Sequence, residues 1–306
     1  MKTIFVYIFI IVLLASTIVV GSEKLKVVTA TADLADLVRV IGKDKIDVAS
    51  LIKGNQDPHF IEPRPSMVMQ VKNADLVVRI GMDLDMWIQS LIDASRNPKV
   101  MFGKEGYLDV SSGIDKLEIP SGKVDASMGD IHIYGNPHYW LDPENAKPIM
   151  KNILDKLCQI LPSESEYFKK NHRAYTQKLD STLSCWSKQM EPFTDVKIVT
   201  YHNSWPYFAK RFKLKIVDFV EPKPGIPPSP SHIVSLVEKI KNEKVKVIIV
   251  EPYFNLKVAE SVAKSSGSKV VVLPPSVGGI DGIDSYLDLF EYNINKLIKS
   301  LQEAGG

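Results

Sequence analysis

Between Ser163 and Met190 the chain runs for more than 25 residues without an interior glycine or proline. Glu164 and Glu166 stand where the first turn of a helix favours acids, so the spacing predicts one continuous helix about 40 Å long. A rod of that length divides the sequence. It reads either as a rigid strut between two lobes, residues 23–162 and 191–306, or as one partner of an ordinary surface helix pair. At 306 residues the chain exceeds a typical single domain, which favours two lobes or one large α/β unit.

Both flanks alternate strand-like and helix-like segments. Before the strut, Leu25–Thr31, Ile46–Ile52 and Ala74–Ile80 read as strands, and residues 32–41, 66–73 and 82–95 read as helices. Trp87 and Leu91 are expected on the inner face of the last helix. Residues 102–136 read as a long surface loop with one short strand at residues 107–110, and a helix follows Asp142-Pro143 to about Leu161. After the strut, strands at 196–201, 214–220, 245–250 and 269–273 alternate with helices at 204–212, 231–242, 256–265 and 283–301. Unbroken runs such as Val247-Ile248-Ile249-Val250 suit strands buried on both faces, hence a parallel sheet covered by helices.

Two loops carry the same pattern, Asp57-Pro58-His59-Phe60 and Asn136-Pro137-His138-Tyr139, each followed by an acid and a second proline. Proline fixes its own φ and keeps the residue before it extended, so a histidine placed after it loses less entropy on ordering. A third histidine, His202, ends the strand-like run Val196–Tyr201. Imidazole is the commonest metal ligand at neutral pH, and open α/β sheets bind ligands at the carboxyl ends of their strands. His59, His138 and His202 are therefore expected to converge on one metal ion. His132, six positions before His138, reads either as a solvated loop residue or as an auxiliary metal-capturing one. His172 is expected on a solvated helix surface, and His232, at a helix start after the proline-dense segment 221–230, in a structural role.

Composition narrows the functional classes. A net charge of +2 implies neither nucleic acid nor an anionic membrane surface as partner. Met1-Lys2-Thr3, the apolar run Ile4–Val20 and the small residues Gly21 and Ser22 have the form of a secretory signal peptide, residues 1–22; an uncleaved membrane anchor is the alternative. With no cysteine near that junction, N-terminal lipid attachment is not expected, and a periplasmic address is the simplest reading. Export makes a bridge between Cys158 and Cys185 conceivable. Placed on either side of the break at Pro162, the two would stand roughly 25–30 Å apart in an antiparallel helix pair, too far to bridge. Both are expected to be buried thiols.

With these motifs in place, the chain resembles the cluster A-I (cluster 9) solute-binding proteins, the extracytoplasmic components of zinc and manganese ABC importers. The likeness rests on Asp57-Pro58-His59 with Glu62-Pro63-Arg64-Pro65-Ser66, on Asn73–Val78, on Asn136-Pro137-His138 with Trp140-Leu141-Asp142-Pro143, on Tyr201-His202, and on Asp284–Leu287 with Tyr292-Asn293. It implies an α/β fold of two lobes, each a mainly parallel sheet flanked by helices, joined by one long backbone helix, with the metal in the cleft. It further implies small movements on loading and a membrane permease of an ABC importer as partner to a monomeric binding protein. In manganese-binding members of the family the third ligand is typically glutamate and the fourth an aspartate after the last strand. Here the third position is His202, and the corresponding segment, Leu273–Gly279, contains no carboxylate.

Three imidazoles with one open position suit Zn(II), whereas Mn(II) prefers more oxygen donors. The fourth ligand is expected to be water, Glu251, Asp281 or Asp284, with Glu251 equally able to orient an imidazole. Two other classes compete: a secreted three-histidine zinc hydrolase, for which no His-Glu-x-x-His pairing is present, and a surface adhesin with an incidental metal.

Overall fold

The computed structural model describes residues 24–305, apart from 123, 126–128 and 130. The expected signal peptide therefore lies outside the described residues. Two four-stranded sheets, both wholly parallel, share one plan. In the first, β1 (Leu25–Thr29), β2 (Ile46–Ser50), β3 (Leu76–Arg79) and β4 (Tyr107–Asp109) lie in the order β2-β1-β3-β4. In the second, β5 (Lys197–Thr200), β6 (Lys215–Phe219), β7 (Val247–Val250) and β8 (Lys269–Val272) lie in the order β6-β5-β7-β8. Strands β3 and β7 are buried at every position, β7 as its uninterrupted apolar sequence requires and β3 with the charged Arg79 at its end.

Helices α1 (Ala32–Gly42), α2 (Pro65–Lys72), α3 (Trp87–Ser95) and α4 (Ala146–Ile160) accompany the first sheet. Helices α6 (Pro206–Arg211), α7 (Pro230–Glu243), α8 (Leu256–Ser266) and α9 (Tyr286–Gly305) accompany the second. Between them runs α5 (Ser165–Met190), 26 residues, which packs on α1 and α4 of one lobe and on α9 of the other. Its buried stripe, Leu179, Leu183, Trp186 and Met190, has helical spacing. Cys185 falls off that stripe and is exposed, and Cys158 is half-buried. Both thiols are free, so the expected absence of a bridge holds but the expected burial of Cys185 does not.

One further difference lies at residues 82–86, expected to open a helix. Met82 and Asp83 have φ of 52° and 66°, and α3 begins only at Trp87. Buried Asp85 accounts for the turn: it accepts hydrogen bonds from the amides of Ile80 (2.7 Å) and Gly81 (3.1 Å) and from the Arg79 guanidinium. The backbone is thereby wrapped around a carboxylate instead of continuing a helix.

The largest apolar core is continuous across the lobes, reaching from Val27 and Leu34 through Trp140 and Trp186 to Phe290 and Leu301. Polar ties reinforce the junction. Arg211 grips Asp142 through two hydrogen bonds of 2.6 and 2.9 Å, and Trp140 Nε1 donates to Pro275 O at 2.8 Å. Asp33 accepts from Val277 N at 2.9 Å and from Ser276 Oγ, and Asp36 accepts from Tyr286 N at 2.8 Å. Asp33 is fully buried, and burial pushes its carboxyl up to about 7 despite those hydrogen bonds.

Candidate metal centre

The carboxyl ends of both sheets face one cleft. His59 comes from the loop after β2, His138 from the long connection between β4 and α4, and His202 from the turn after β5. One nitrogen from each of these three histidines lies within 4.8 Å of the other two, and they are the only described group of three or more His, Cys, Asp or Glu side chains that close. Ring centroids are separated by 5.0 Å (His59–His138), 5.1 Å (His59–His202) and 5.5 Å (His138–His202).

Each ring is held at Nδ1. Asp57 Oδ1 accepts from both the backbone N (3.0 Å) and Nδ1 (2.7 Å) of His59. Asn136 Oδ1 accepts from the backbone N (3.0 Å) and Nδ1 (3.0 Å) of His138. The two Asx-Pro-His motifs are therefore one conformation used twice, the side chain two positions upstream bracketing its histidine. Around the first, Trp87 Nε1 donates to Pro58 O at 2.9 Å. Gly54 lies so close to the opposing lobe that a Cβ would stand 1.9 Å from Val277 O. His202 is anchored from farther away: its Nδ1 meets Glu221 Oε2 at 2.8 Å, nineteen residues on, past the end of β6.

An acceptor at Nδ1 puts the proton there and leaves the Nε2 lone pair for a metal. Nε2 of His59 and of His138 is buried and has no hydrogen-bond partner among the described residues. A polar atom in that position is costly unless something fills the space between the rings. His138 is held well below the ordinary imidazole range, first by burial and then by the neighbouring His59, His202 and His132, so it is neutral and able to ligate at neutral pH. Asp57 moves down. Burial raises it, but the hydrogen bonds and charge of His59 outweigh that burial.

None of the acids weighed as fourth ligands joins the three rings. Asp281 and Asp284 are exposed. Glu251 is fully buried with its Oε1 accepting from Trp205 Nε1 at 3.0 Å, and burial pushes it up to about 8. The acid that orients the His202 imidazole is Glu221 instead. Its place after β6, beside the proline-dense segment, gave no local sign of that role. His132 is half-buried with its ring 5.4 Å from that of His59, on the wall of a cavity of about 480 Å³ that also touches His138 and His202. His172 lies on α5 outside the group of three, half-buried with its Nε2 covered and not solvated as expected, and His232 bonds the backbone O of Phe219 at 3.0 Å.

Comparison with known proteins agrees with this architecture. The chain is 30% identical over 294 residues to a protein named manganese ABC transporter substrate-binding lipoprotein PsaA, from Streptococcus mitis, covering 92% of this chain and 90% of the relative. It is equally 30% identical, over 290 residues with the same coverage, to the iron ABC transporter substrate-binding lipoprotein MtsA of Streptococcus pyogenes serotype M1. Among solved structures, a crystal structure of ZnuA superposes with a TM-score of 0.77 at 22% identity, covering 91% of this chain and 99% of that one. A Mn-bound periplasmic metal binding protein from Candidatus Liberibacter asiaticus superposes with a TM-score of 0.74 at 23% identity, covering 91% and 100%. A family model matches residues 27–300, and the chain therefore belongs to the family described as ZnuA, zinc-uptake complex component A, periplasmic.

Proposed function

We propose that the protein binds one divalent transition metal ion between its lobes, with His59, His138 and His202 as ligands through Nε2, and passes it to the membrane permease of an ABC importer. The observation that carries this reading is the convergence of three imidazoles, each fixed at Nδ1 by a carboxylate or amide, with two buried Nε2 atoms that meet no partner among the described residues. The family and its relatives, named as substrate-binding components of ABC transporters, support the transport role. The same membership supports an extracytoplasmic place for the protein.

Zn(II) is the metal this donor set favours. Three nitrogens with no carboxylate among the described residues of the cluster suit a tetrahedral ion completed by water, whereas Mn(II) gains from more oxygen donors. Two relatives are named for manganese and iron, so the competing outcome is specific. Competitive titration of the metal-free protein tests it: Zn(II) should displace Mn(II), and the reverse order would overturn the choice. Catalysis is a weaker reading. A hydrolase draws no support from relatives named for transport, and Asp57 and Glu221 are engaged at Nδ1 rather than placed as general bases.

A further inference from the structure

We infer that Glu118 is a positioning residue of the metal site, supplying through Asn136 the negative charge that His138 lacks and tying together the two loops that carry His138 and His202. This deepens the reading above and rests on it. Two of the three imidazoles face a carboxylate directly, Asp57 for His59 and Glu221 for His202. His138 faces only the neutral amide of Asn136. The other end of that amide donates to Glu118 Oε2 at 3.0 Å, so the third imidazole also ends in a carboxylate, one residue further out. An amide that donates to a carboxylate is polarised, and its carbonyl oxygen becomes a better acceptor for the Nδ1 proton, which raises the basicity of Nε2 toward a metal.

The same Oε2 accepts from Asn203 Nδ2 at 2.8 Å, next to His202, while Asn136 Nδ2 also donates to Asn203 O at 2.8 Å. One oxygen thus links the neighbours of two candidate ligands on opposite lobes. The backbone is held for this purpose. Glu118 sits at φ 55°, a left-handed conformation uncommon for a residue with a side chain. Flanking contacts impose it: Leu117 N donates to Tyr207 Oη (3.0 Å), Asn136 N donates to Leu117 O (2.8 Å), and Tyr207 Oη donates to Asn136 O (3.0 Å). Gly135 permits the approach, since a Cβ there would lie 2.7 Å from Leu117 O. Glu118 itself is exposed, so replacing it leaves the core untouched.

The test is Zn(II) affinity of the purified protein, by competition with a chelating dye, for Glu118→Gln, Asn136→Ala, the double variant and His138→Ala. Glu118→Gln keeps an acceptor oxygen and removes the charge, and it should weaken binding about tenfold, the low end for partners beyond the ligands. In the Asn136→Ala background the same substitution should change affinity twofold or less, because its route to His138 is gone. A contribution made only through Asn203 Nδ2, a contact that Asn136→Ala leaves in place, would persist in that background. Affinity of Glu118→Gln within twofold of the parent, or an undiminished loss in the Asn136→Ala background, would overturn the inference. Zinc retained by His138→Ala would instead overturn the binding reading itself, so the two failures are distinct.

Discussion

His59 and His138 are held from within their own loops, whereas His202 is held from another strand end. In the first two, a side chain two positions upstream accepts from both the backbone amide and Nδ1, so proline and the Asx turn orient the ring before any long-range contact forms. For His202 the turn contributes only Thr200 Oγ1 donating to His202 O at 2.7 Å, and the ring is set by Glu221 across the sheet. Two of the candidate ligand positions are therefore organised locally and one depends on the finished fold. The lobe that supplies the single histidine also supplies linking contacts to Asp33 and Asp36 of the other lobe, at Ser276, Val277 and Tyr286.

The largest effect expected is loss of the ring itself. Alanine at His59, His138 or His202 should each weaken Zn(II) binding more than ~100-fold, beyond the range typical of residues that only orient ligands. His172→Ala should leave it unchanged. Equal losses at all four positions, read by dye competition, would break the assignment.

The difference in anchoring comes next. Glu221→Ala frees the ring of His202 and should cost about 10–100-fold in affinity. Asp57→Asn only converts the first motif into the chemistry of the second and should cost less. A larger loss from Asp57→Asn would reverse the contrast between local and long-range anchoring.

Asp57, beside His59, and Asp33, at the junction of the lobes, also titrate in opposite directions. Asp57 lies below the ordinary carboxylate range because His59 outweighs its burial, so its contribution to stability is present above that range and is lost as pH falls through the lowered value. Asp33 is raised from 3.8 to about 7 by burial, so the native state binds its proton more tightly than the unfolded chain does. Stability should therefore fall as pH rises from 3.8 through about 7, by up to about 4 kcal/mol for this group. Asp33→Asn can keep both partners without the charge. Urea unfolding at pH 5 and pH 8 should show the variant gaining on the parent at the higher pH, and parallel curves would contradict the burial effect. The smallest change is expected from Pro58→Ala or Pro137→Ala, about two- to fivefold in affinity, from added chain entropy in the metal-free loop.

Much of this was legible in sequence because it is local. The Asx-Pro-His repeat, the Val/Ile runs that place His202 at a strand end, and the glycine- and proline-free stretch that became α5 each encode geometry within a few residues. What stayed hidden depends on tertiary placement. Glu221 and Glu251 both follow Val/Ile-rich strands, but only the fold turns one toward His202 and the other toward Trp205. The apolar spacing of residues 82–86 fits a helix, while the buried Asp85 that shapes the turn looks in sequence like any surface acid. The exposure of Cys185 is hidden for a related reason: it depends on the residue's position relative to the Leu183–Trp186 stripe, which packing defines.

The most direct test of the metal-binding proposal is the metal content of protein purified without chelator, followed by titration of the metal-free form. One zinc per chain, held against competing Mn(II) and lost in His202→Ala, is the predicted result. Protein that carries no metal and takes up none, or that holds zinc equally well without His202, would contradict it.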